Sequence, residues 1–346
     1  MGQSEKRTFN NLLVTGGCGF IGTNFIRYLL KESNFSGKII NVDRLTYAGN
    51  PLYLKDIEQD YPEQYTFIFA DICDSAQMEK LFIDHQIDAI CHFAAESHVD
   101  RSIESPGTFI QTNIFGTYVL IEIARKYMKF DKQLKLFHHV STDEVFGSLA
   151  ETGFFSEKSP YQPNSPYSAS KAASDHMVRA YGATYDLPYT LSNCSNNYGP
   201  FQFPEKLIPK MTLNALDNKT LPVYGAGKNV RDWLYVDDHC RAIWTIMTQG
   251  KLKETYTIGG NAEIENIEMV RHICSILDRI VPSNIDRQSL IEHVKDRPGH
   301  DLRYAIDCSK IKEELGWQPL ESFQSGLEKT IQWYVDHKDW LKQFRV

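Results

Sequence analysis

The sequence has no long hydrophobic run, no paired-cysteine motif and no surplus of positive charge, and each lack removes a class of function. No apolar stretch approaches the ~20 residues that a membrane-spanning helix requires. The segment from Met1 to Asn11 is polar and lacks the apolar core of a secretory signal. Its Met-Gly start fits N-myristoylation, but Lys6 stands where that signal needs Ser or Thr. The seven cysteines, at 18, 73, 91, 194, 240, 274 and 308, are odd in number and widely spaced, with no Cys-x-x-Cys. Reduced, buried thiols in a cytoplasmic protein are therefore expected. Neither they nor the eleven histidines fall into a metal-ligand pattern, so no metal is expected. A net charge of −7 argues against a general nucleic-acid binder, although a few arginines could hold a small anion.

The chain's 346 residues can build one large domain or two modest ones. In the first half, short β-rich runs alternate with helical patterns. Strands are expected at Leu12–Thr15, Lys38–Val42, Thr66–Phe69, Ala89–Phe93 and Leu136–Ser141, with helices near Ile21–Lys31, Ala76–His85 and Thr108–Tyr127. This alternation predicts an α/β fold, a Rossmann-like, doubly wound parallel sheet covered on both faces. A helix over about Tyr167–Tyr185 and a strand at Tyr189–Cys194 extend it. After Asn196, prolines 200, 204, 209 and 222 and glycines 225 and 227 break the pattern, as in a loop-rich lobe. Tyr256–Ile258 and the Trp233–Tyr235 region are expected to rejoin the sheet. The boundary between a first domain (8–195) and a smaller, mixed α/β C-terminal lobe (196–346) is then discontinuous. Helical patterns at Ile267–Asp278, Cys308–Leu315 and Gly326–His337 complete that lobe.

Gly16, Gly19 and Gly22 follow the first strand with Gly-x-x-Gly-x-x-Gly spacing. A turn without side chains lets a pyrophosphate approach the N-terminus of the next helix. Asp43 ends the second strand about 20 residues further on, where a carboxylate can bind the adenine-ribose hydroxyls. It would repel a 2′-phosphate, so NAD is favoured over NADP, although Arg44 next door leaves NADP some room. No Gly-Lys-Ser/Thr follows, which argues against a nucleotide-triphosphate P-loop.

Tyr167 and Lys171 lie four apart, on one face of the expected helix. An ammonium near a phenol of ordinary pKa ~10 favours the phenolate, which could take a proton from an alcohol during hydride transfer. Thr142 ends a predicted strand, and ligands of open α/β sheets bind at such ends. Asp143 and Glu144 follow it and project in different directions. Two adjacent carboxyls resist joint ionisation, so one can serve as general acid and the other as base. Oxidation followed by elimination is the chemistry that this set points to.

These residues resemble the extended short-chain dehydrogenase/reductase family, which acts on nucleotide sugars. Within it, several segments are similar to the dTDP-glucose 4,6-dehydratases: LTYAGN (45–50), FAAESHVDRS (93–102), STDEVFG (141–147), NCSNNYGP (193–200), FPEKLIP (203–209), RDWLYV (231–236) and DRPGH (296–300). The likeness runs from about Asn11 to Trp340. It implies a hydro-lyase that converts dTDP-glucose to dTDP-4-keto-6-deoxyglucose and water, with NAD regenerated, in deoxysugar biosynthesis. Tyr167, helped by Lys171 and Thr142, would deprotonate the C4 hydroxyl as hydride leaves C4. Glu144 would remove the C5 proton, and Asp143 would protonate the departing C6 hydroxyl.

By the same resemblance, Gly16, Gly19, Phe20, Ile21, Gly22, Asp43, Arg44, Leu45, Thr46, Asp71, Ile72, Phe93, Ala94, Ala95, Glu96, Ser97, Thr112, Tyr167, Lys171 and Asn197 would line the NAD site. Ser97, Thr142, Asn196, Lys206, Leu207, Pro222, Val223, Tyr224, Arg231, Asn266, Asp296, Arg297, Pro298, Gly299 and His300 would hold the dTDP-sugar. Arg231 and Arg297 can make charge-assisted bonds to its diphosphate. A homodimer formed through the helices near Thr108–Tyr127 and Tyr167–Tyr185 is also implied. Two positions depart from the family pattern: Cys18 stands where Ala or Ser is usual, and Phe146 where Tyr is usual. Cys18 could make the glycine turn sensitive to thiol reagents.

Three other readings share parts of this pattern. A UDP-glucose 4,6-dehydratase differs by packing around one base methyl, worth about 1–3 kcal/mol. A 4-epimerase or decarboxylase on the same fold needs the hydride machinery but generally lacks the Asp-Glu pair. A catalytically silent NAD-binding regulator would have lost Tyr167, Lys171 or the acid pair, and all are present.

Overall fold

Runs such as Leu12-Leu13-Val14 and Ile39-Ile40 carry apolar side chains at successive positions, so each strand has two apolar faces and must be covered on both. The computed structural model describes residues 6–129, 134–296 and 298–341; Arg297 lies outside the described residues. Its strands are β1 (Asn11–Thr15), β2 (Lys38–Asp43), β3 (Tyr65–Phe69), β4 (Ala89–His92), β5 (Leu136–Thr142), β6 (Tyr189–Cys194), β7 (Asn196–Tyr198), β8 (Leu221–Tyr224), β9 (Val230–Tyr235), β10 (Glu254–Ile258), β11 (Glu263–Glu265) and β12 (Ile291–Val294).

Seven of them form one sheet in the order β10-β6-β5-β4-β1-β2-β3, and every pairing is parallel. Alternate residues feed two cores. Leu13, Ile40, Ile90 and Phe137 pack with Met78, Phe82, Leu120 and Val178 on one face. Leu12, Ile39, Cys91 and Leu136 pack with Phe25, Ile26, Ile243 and Met247 on the other. The strand order reverses between β1 and β4, and the crevice outside the carboxyl ends at such a switch point is where ligands bind in these folds.

Two sequence expectations need correction. Trp233–Tyr235 does not join the large sheet: β9 pairs with β11 and β7 in a separate three-stranded sheet. The aromatic side chains of Trp233 and Tyr235 explain this, because they bury with Tyr198, Met269, Ile273 and Leu327 in the core of the C-terminal lobe. Tyr256–Ile258 does rejoin the large sheet, as part of β10 beside β6. The second correction concerns the helix expected over Thr108–Tyr127. It runs as Pro106–Phe109, a wider π turn at Ile110–Gly116, and Thr117–Met128. The π turn carries Asn113, whose amide accepts from Glu96 N at 2.8 Å and donates to Glu96 O at 3.0 Å and to Ser170 Oγ at 2.8 Å. Inserted π turns commonly occur where a helix meets a functional site.

The helix Pro166–Tyr185 carries Tyr167 and Lys171, and its start is strongly specified. Ser165 Oγ accepts from Ser168 N and Ser168 Oγ accepts from Ser165 N, both at 3.0 Å, with proline at the first helical position. Asp186 closes the helix in the left-handed region (φ 57°). No helix among the described residues is long and apolar enough to cross a membrane. Ser165→Ala should lower the unfolding free energy by about 1 kcal/mol, measured by urea denaturation.

Candidate active site

The glycine turn leaves β1 and enters the helix Phe20–Lys31. Gly16 has φ +73°, and a Cβ there would stand 2.7 Å from the Ala94 backbone; one on Gly22 would stand 2.4 Å from Gly16 O. Only glycine fits either place. Gly19 caps the helix without a side-chain acceptor, so no side chain of the cap itself occupies the helix N-terminus. At the end of β2, the Asp43 carboxylate accepts from Cys18 N (2.9 Å) and Leu45 N (2.8 Å). Burial raises its pKa, and these two N–H groups oppose the rise. Arg44 pairs with Asp71 at 2.9 Å. Cys18 is fully buried, and burial followed by the Asp43 charge pushes its thiol up to about 12. Burial and a raised thiol pKa argue against the expected sensitivity to thiol reagents.

A cleft of about 310 Å³ runs from this turn to the carboxyl end of β5. Every residue predicted to bind the cofactor lines it except Leu45, whose backbone N–H instead holds Asp43. Ser97, Thr142, Asn196 and Lys206 of the predicted sugar set line it too. Three loops meet at its rim. Tyr47 donates to Glu205 at 2.9 Å and stacks edge-on to Phe203, the Arg101 guanidinium lies 3.7 Å over the Tyr47 ring, and Lys206 Nζ donates to Ser97 O at 3.0 Å.

At the carboxyl end of β5, Thr142 Oγ1 donates to Asp143 Oδ1 and accepts from Glu144 N, both at 3.3 Å. Asp143 is 2% exposed, and its Oδ2 has no hydrogen-bond partner among the described residues. Burial raises its pKa well above the usual carboxylate range, with the charges of Glu144 and Asp232 adding to the effect and Arg231 opposing it. Tyr167 is buried beside Thr142. Burial drives its phenol pKa up, the charge of Glu144 adds to the rise, and a hydrogen bond to Thr142 opposes it. The expectation of a lowered phenol pKa therefore fails in the protein alone: desolvation outweighs any help from a cation. Lys171, 4% exposed, donates to Val140 O at 2.9 Å, and burial lowers its pKa.

Among the described residues, the remaining sugar-binding candidates lie outside that cleft lining. Pro222, Val223 and Tyr224 form β8, which pairs with β12. Beside it, His300 meets Asp296 at 2.6 Å and the Tyr224 ring edge-on at 6.1 Å. Pro298 and Gly299 complete that turn, with Gly299 at φ +64°. Asn266 begins the helix Asn266–Ile280, and Leu207 begins Leu207–Leu216. Arg231, 6% exposed, donates to Asp301 O at 3.0 Å and lies 4.3 Å over the Tyr304 ring. Because Arg231 lowers the Asp143 pKa and Glu144 raises that of Tyr304, this end of the lobe faces the acid pair.

Four polar residues behind the site escaped the sequence reading: Tyr161, Asp175, Asn193 and Tyr304. Asp175 alone left a signal, four residues beyond Lys171 on the same helix face. The others come from separate segments that only the fold brings together. No group of three or more His, Cys, Asp or Glu among the described residues is arranged to hold a metal ion.

Comparison with known proteins bears directly on this geometry. The family model described as GDP-mannose 4,6 dehydratase matches residues 13–330. A dTDP-glucose 4,6-dehydratase of Escherichia coli K12 is 53% identical over 343 residues, covering 95% of this chain and 94% of its own. One from Neisseria meningitidis serogroup B is 54% identical over 338 residues, covering 95% and 94%. The crystal structure of a dTDP-glucose 4,6-dehydratase from Streptomyces venezuelae, with NAD bound, superposes with a TM-score of 0.89 at 44% identity, covering 97% of this chain and 100% of that one. With the family model spanning nearly the whole length and relatives more than half identical, the chain belongs to the nucleotide-sugar 4,6-dehydratase family.

Proposed function

We propose that this protein is an NAD-dependent dTDP-glucose 4,6-dehydratase that forms dTDP-4-keto-6-deoxyglucose and water. The observation that carries the reading is the divided environment of Asp143 and Glu144. Asp143 is buried with its pKa driven up, whereas Glu144 is half-buried on the neighbouring position of the same turn. A carboxyl kept neutral beside a less buried one is the division of labour that an acid–base elimination needs.

The cleft fits NAD. Gly16 and Gly22 leave no room for a Cβ, the helix N-terminus at Gly19 can face a pyrophosphate, and Asp43 can meet the ribose hydroxyls. When bound, NAD supplies the acceptor for hydride from C4 and the donor for its return to C6. Tyr167 takes the C4 hydroxyl proton, with Thr142 hydrogen-bonded to the phenol and the Lys171 ammonium one turn along the same helix face. The 4-ketone acidifies C5–H, and the Glu144 carboxylate removes that proton. Asp143, still protonated, gives its proton to the departing C6 hydroxyl, and water leaves. A proton returned to C5 completes the product. Arg231, Asn196, Lys206, Asp296 and His300 hold the nucleotide diphosphate, with residues 8–195 as the NAD domain and 196–346 as the sugar lobe.

The reading extends to a homodimer. Ile110, Phe115 and Tyr118 expose 56%, 42% and 39% of their surfaces along the 106–128 helices, and Tyr185 exposes 47% at the end of the 166–185 helix. Large apolar side chains left open together on two neighbouring helices support pairing with a second copy. Free thiols at all seven cysteines support a cytoplasmic location.

Incubation with dTDP-glucose in deuterated water should yield a 4-keto-6-deoxy sugar carrying deuterium at C5, with no net reduced cofactor. Simple C4 epimerisation, or no turnover, would falsify the assignment. Asp143→Asn should slow overall turnover by roughly 10²–10⁴-fold while sparing C4 oxidation, so that reduced nicotinamide accumulates and is seen by its near-ultraviolet absorbance. Equal loss of both steps would remove Asp143 from the acid role. Light scattering should give twice the chain mass of 39.8 kDa, and a monomer mass defeats the dimer.

A further inference from the structure

Tyr167, Lys171 and Asp175 occupy every fourth position of the helix Pro166–Tyr185 and so form one stripe along it. The mechanism above uses the first two. Asp175 has no exposed surface and sits behind the site. Its Oδ2 accepts from Ser141 Oγ (2.8 Å), Tyr161 OH (2.8 Å) and Asn193 Nδ2 (3.3 Å), and His139 Nε2 stands 3.1 Å from Oδ1. Ser141 precedes Thr142 in β5, and the same Asn193 amide donates to Thr142 O at 3.1 Å. One carboxylate thus ties together the ends of β5 and β6 at the point where the acid pair begins.

We propose that Asp175 is a positioning residue of the reaction: it locks the carboxyl end of β5 and acts as the buried counter-ion that keeps Lys171 charged. This rests on the hydride-transfer reading of Tyr167 and Lys171. A buried ammonium without an opposing charge is expensive and tends to lose its proton. Lys171 Nζ donates to Val140 O rather than to Asp175, so the two charges act on each other one helical turn apart without a direct ion pair, Asp175 raising the Lys171 pKa and Lys171 lowering that of Asp175.

The other groups facing Lys171 cannot supply that anion. On β4 and β5, His92 and His139 are held neutral by burial, His139 down to about 4. On β6, burial pushes the Cys194 thiol far up. Around Asp175, burial likewise drives up the Tyr161 phenol, and Arg179, which donates to Tyr161 OH at 2.8 Å, brings another positive charge. Between neutral pH and pH 10, Lys171 is therefore the group of this cluster whose charge responds to the loss of Asp175.

The test compares full-length wild type, Asp175→Asn and Tyr161→Phe. In Asp175→Asn, C4 oxidation of dTDP-glucose should fall roughly ten- to a hundredfold, with KM within about twofold. Removing the anion depresses the folded-state pKa of Lys171 further below its unfolded value. The folded variant then releases that proton at lower pH and regains stability as pH rises. Its Tm deficit against wild type, measured without substrate, should shrink from about pH 7 to about pH 10. A deficit that does not change with pH, or an unchanged oxidation rate, overturns the proposal.

Tyr161→Phe removes one donor and keeps the charge. It should slow oxidation about threefold, as expected for a small loss of positioning with the charge retained, without a pH-dependent Tm deficit. If Asp175→Asn does not fold, this variant decides, and an unchanged rate overturns the proposal. Wild type that leaves dTDP-glucose untouched would instead sink the dehydratase reading, while the substrate-free Tm comparison still judges the Lys171–Asp175 pair.

Discussion

Removing charge from water at the carboxyl end of β5 is the constraint around which this site is arranged. Asp143, Tyr167, Lys171 and Asp175 are all buried there, and burial is the largest influence on the pKa of each. An isolated buried charge costs several kcal/mol even after relaxation, whereas a hydrogen bond to a charged group returns about 1.5–3 kcal/mol. One donor is too few, and several are enough. Asp175 has His139 against one oxygen, the Lys171 charge one turn away, and Ser141, Tyr161 and Asn193 on the other oxygen, and its pKa is held down. Asp143 has a single long bond from Thr142 and an opposing charge at Arg231, and its pKa goes up instead. The donors and charges that the fold delivers decide which buried carboxyl is held down as an anion and which has its pKa driven up.

The parallel sheet explains why those donors can be delivered at all. Ser141 and Asn193 are register partners across β5 and β6, so their side chains leave the sheet on the same face. The helix Pro166–Tyr185 crosses that face with its stripe of Tyr167, Lys171 and Asp175 turned towards it. At the other end of the cleft, the loop after β7 is held from behind. Tyr334 of the C-terminal helix Phe323–Asp336 donates to Gln202 O at 2.6 Å, and Gln202 Nε2 donates to Asn197 O at 2.9 Å. Asn24, on the helix that follows the glycine turn, donates to Pro200 O at 3.0 Å. A segment far along the chain therefore shapes the wall of the cleft, which accounts for a crevice that draws on both halves of the sequence.

Much of this was legible before the structure. The glycine spacing, Asp43 at a strand end and the Tyr167–Lys171 interval are local patterns with local causes, and the sheet follows from alternating apolar runs. The lapses have physical reasons too. Trp233–Tyr235 reads as a strand in any context, and only the aromatic core around Tyr198 decides which sheet receives it. The π turn at Ile110–Gly116 depends on Asn113 reaching both Glu96 and Ser170, contacts that span 17 and 57 residues. The Tyr167 phenol is sensitive to the depth of its burial, which no four-residue spacing reports. Asp175 was visible as a helical stripe, but its donors come from three separate segments.

Adjacency alone suggested that Asp143 and Glu144 would separate their proton affinities by mutual repulsion. Repulsion contributes, but burial leads, and the local backbone shows why. Thr142 closes β5 and caps a short 3₁₀ turn, Asp143–Phe146. At such a turn the strand's alternation ends, so consecutive side chains no longer face opposite sides of a sheet. Asp143 turns inward towards Arg231 and Asp232, and Val145 and Phe146 anchor the turn in a small core with Phe155, Ala172 and Tyr304. Glu144 is left half-buried on the cleft side. Repulsion between two equally solvated carboxyls would assign the proton to either one. A turn that buries one fully and leaves its neighbour half-buried drives up the Asp143 pKa by desolvation first.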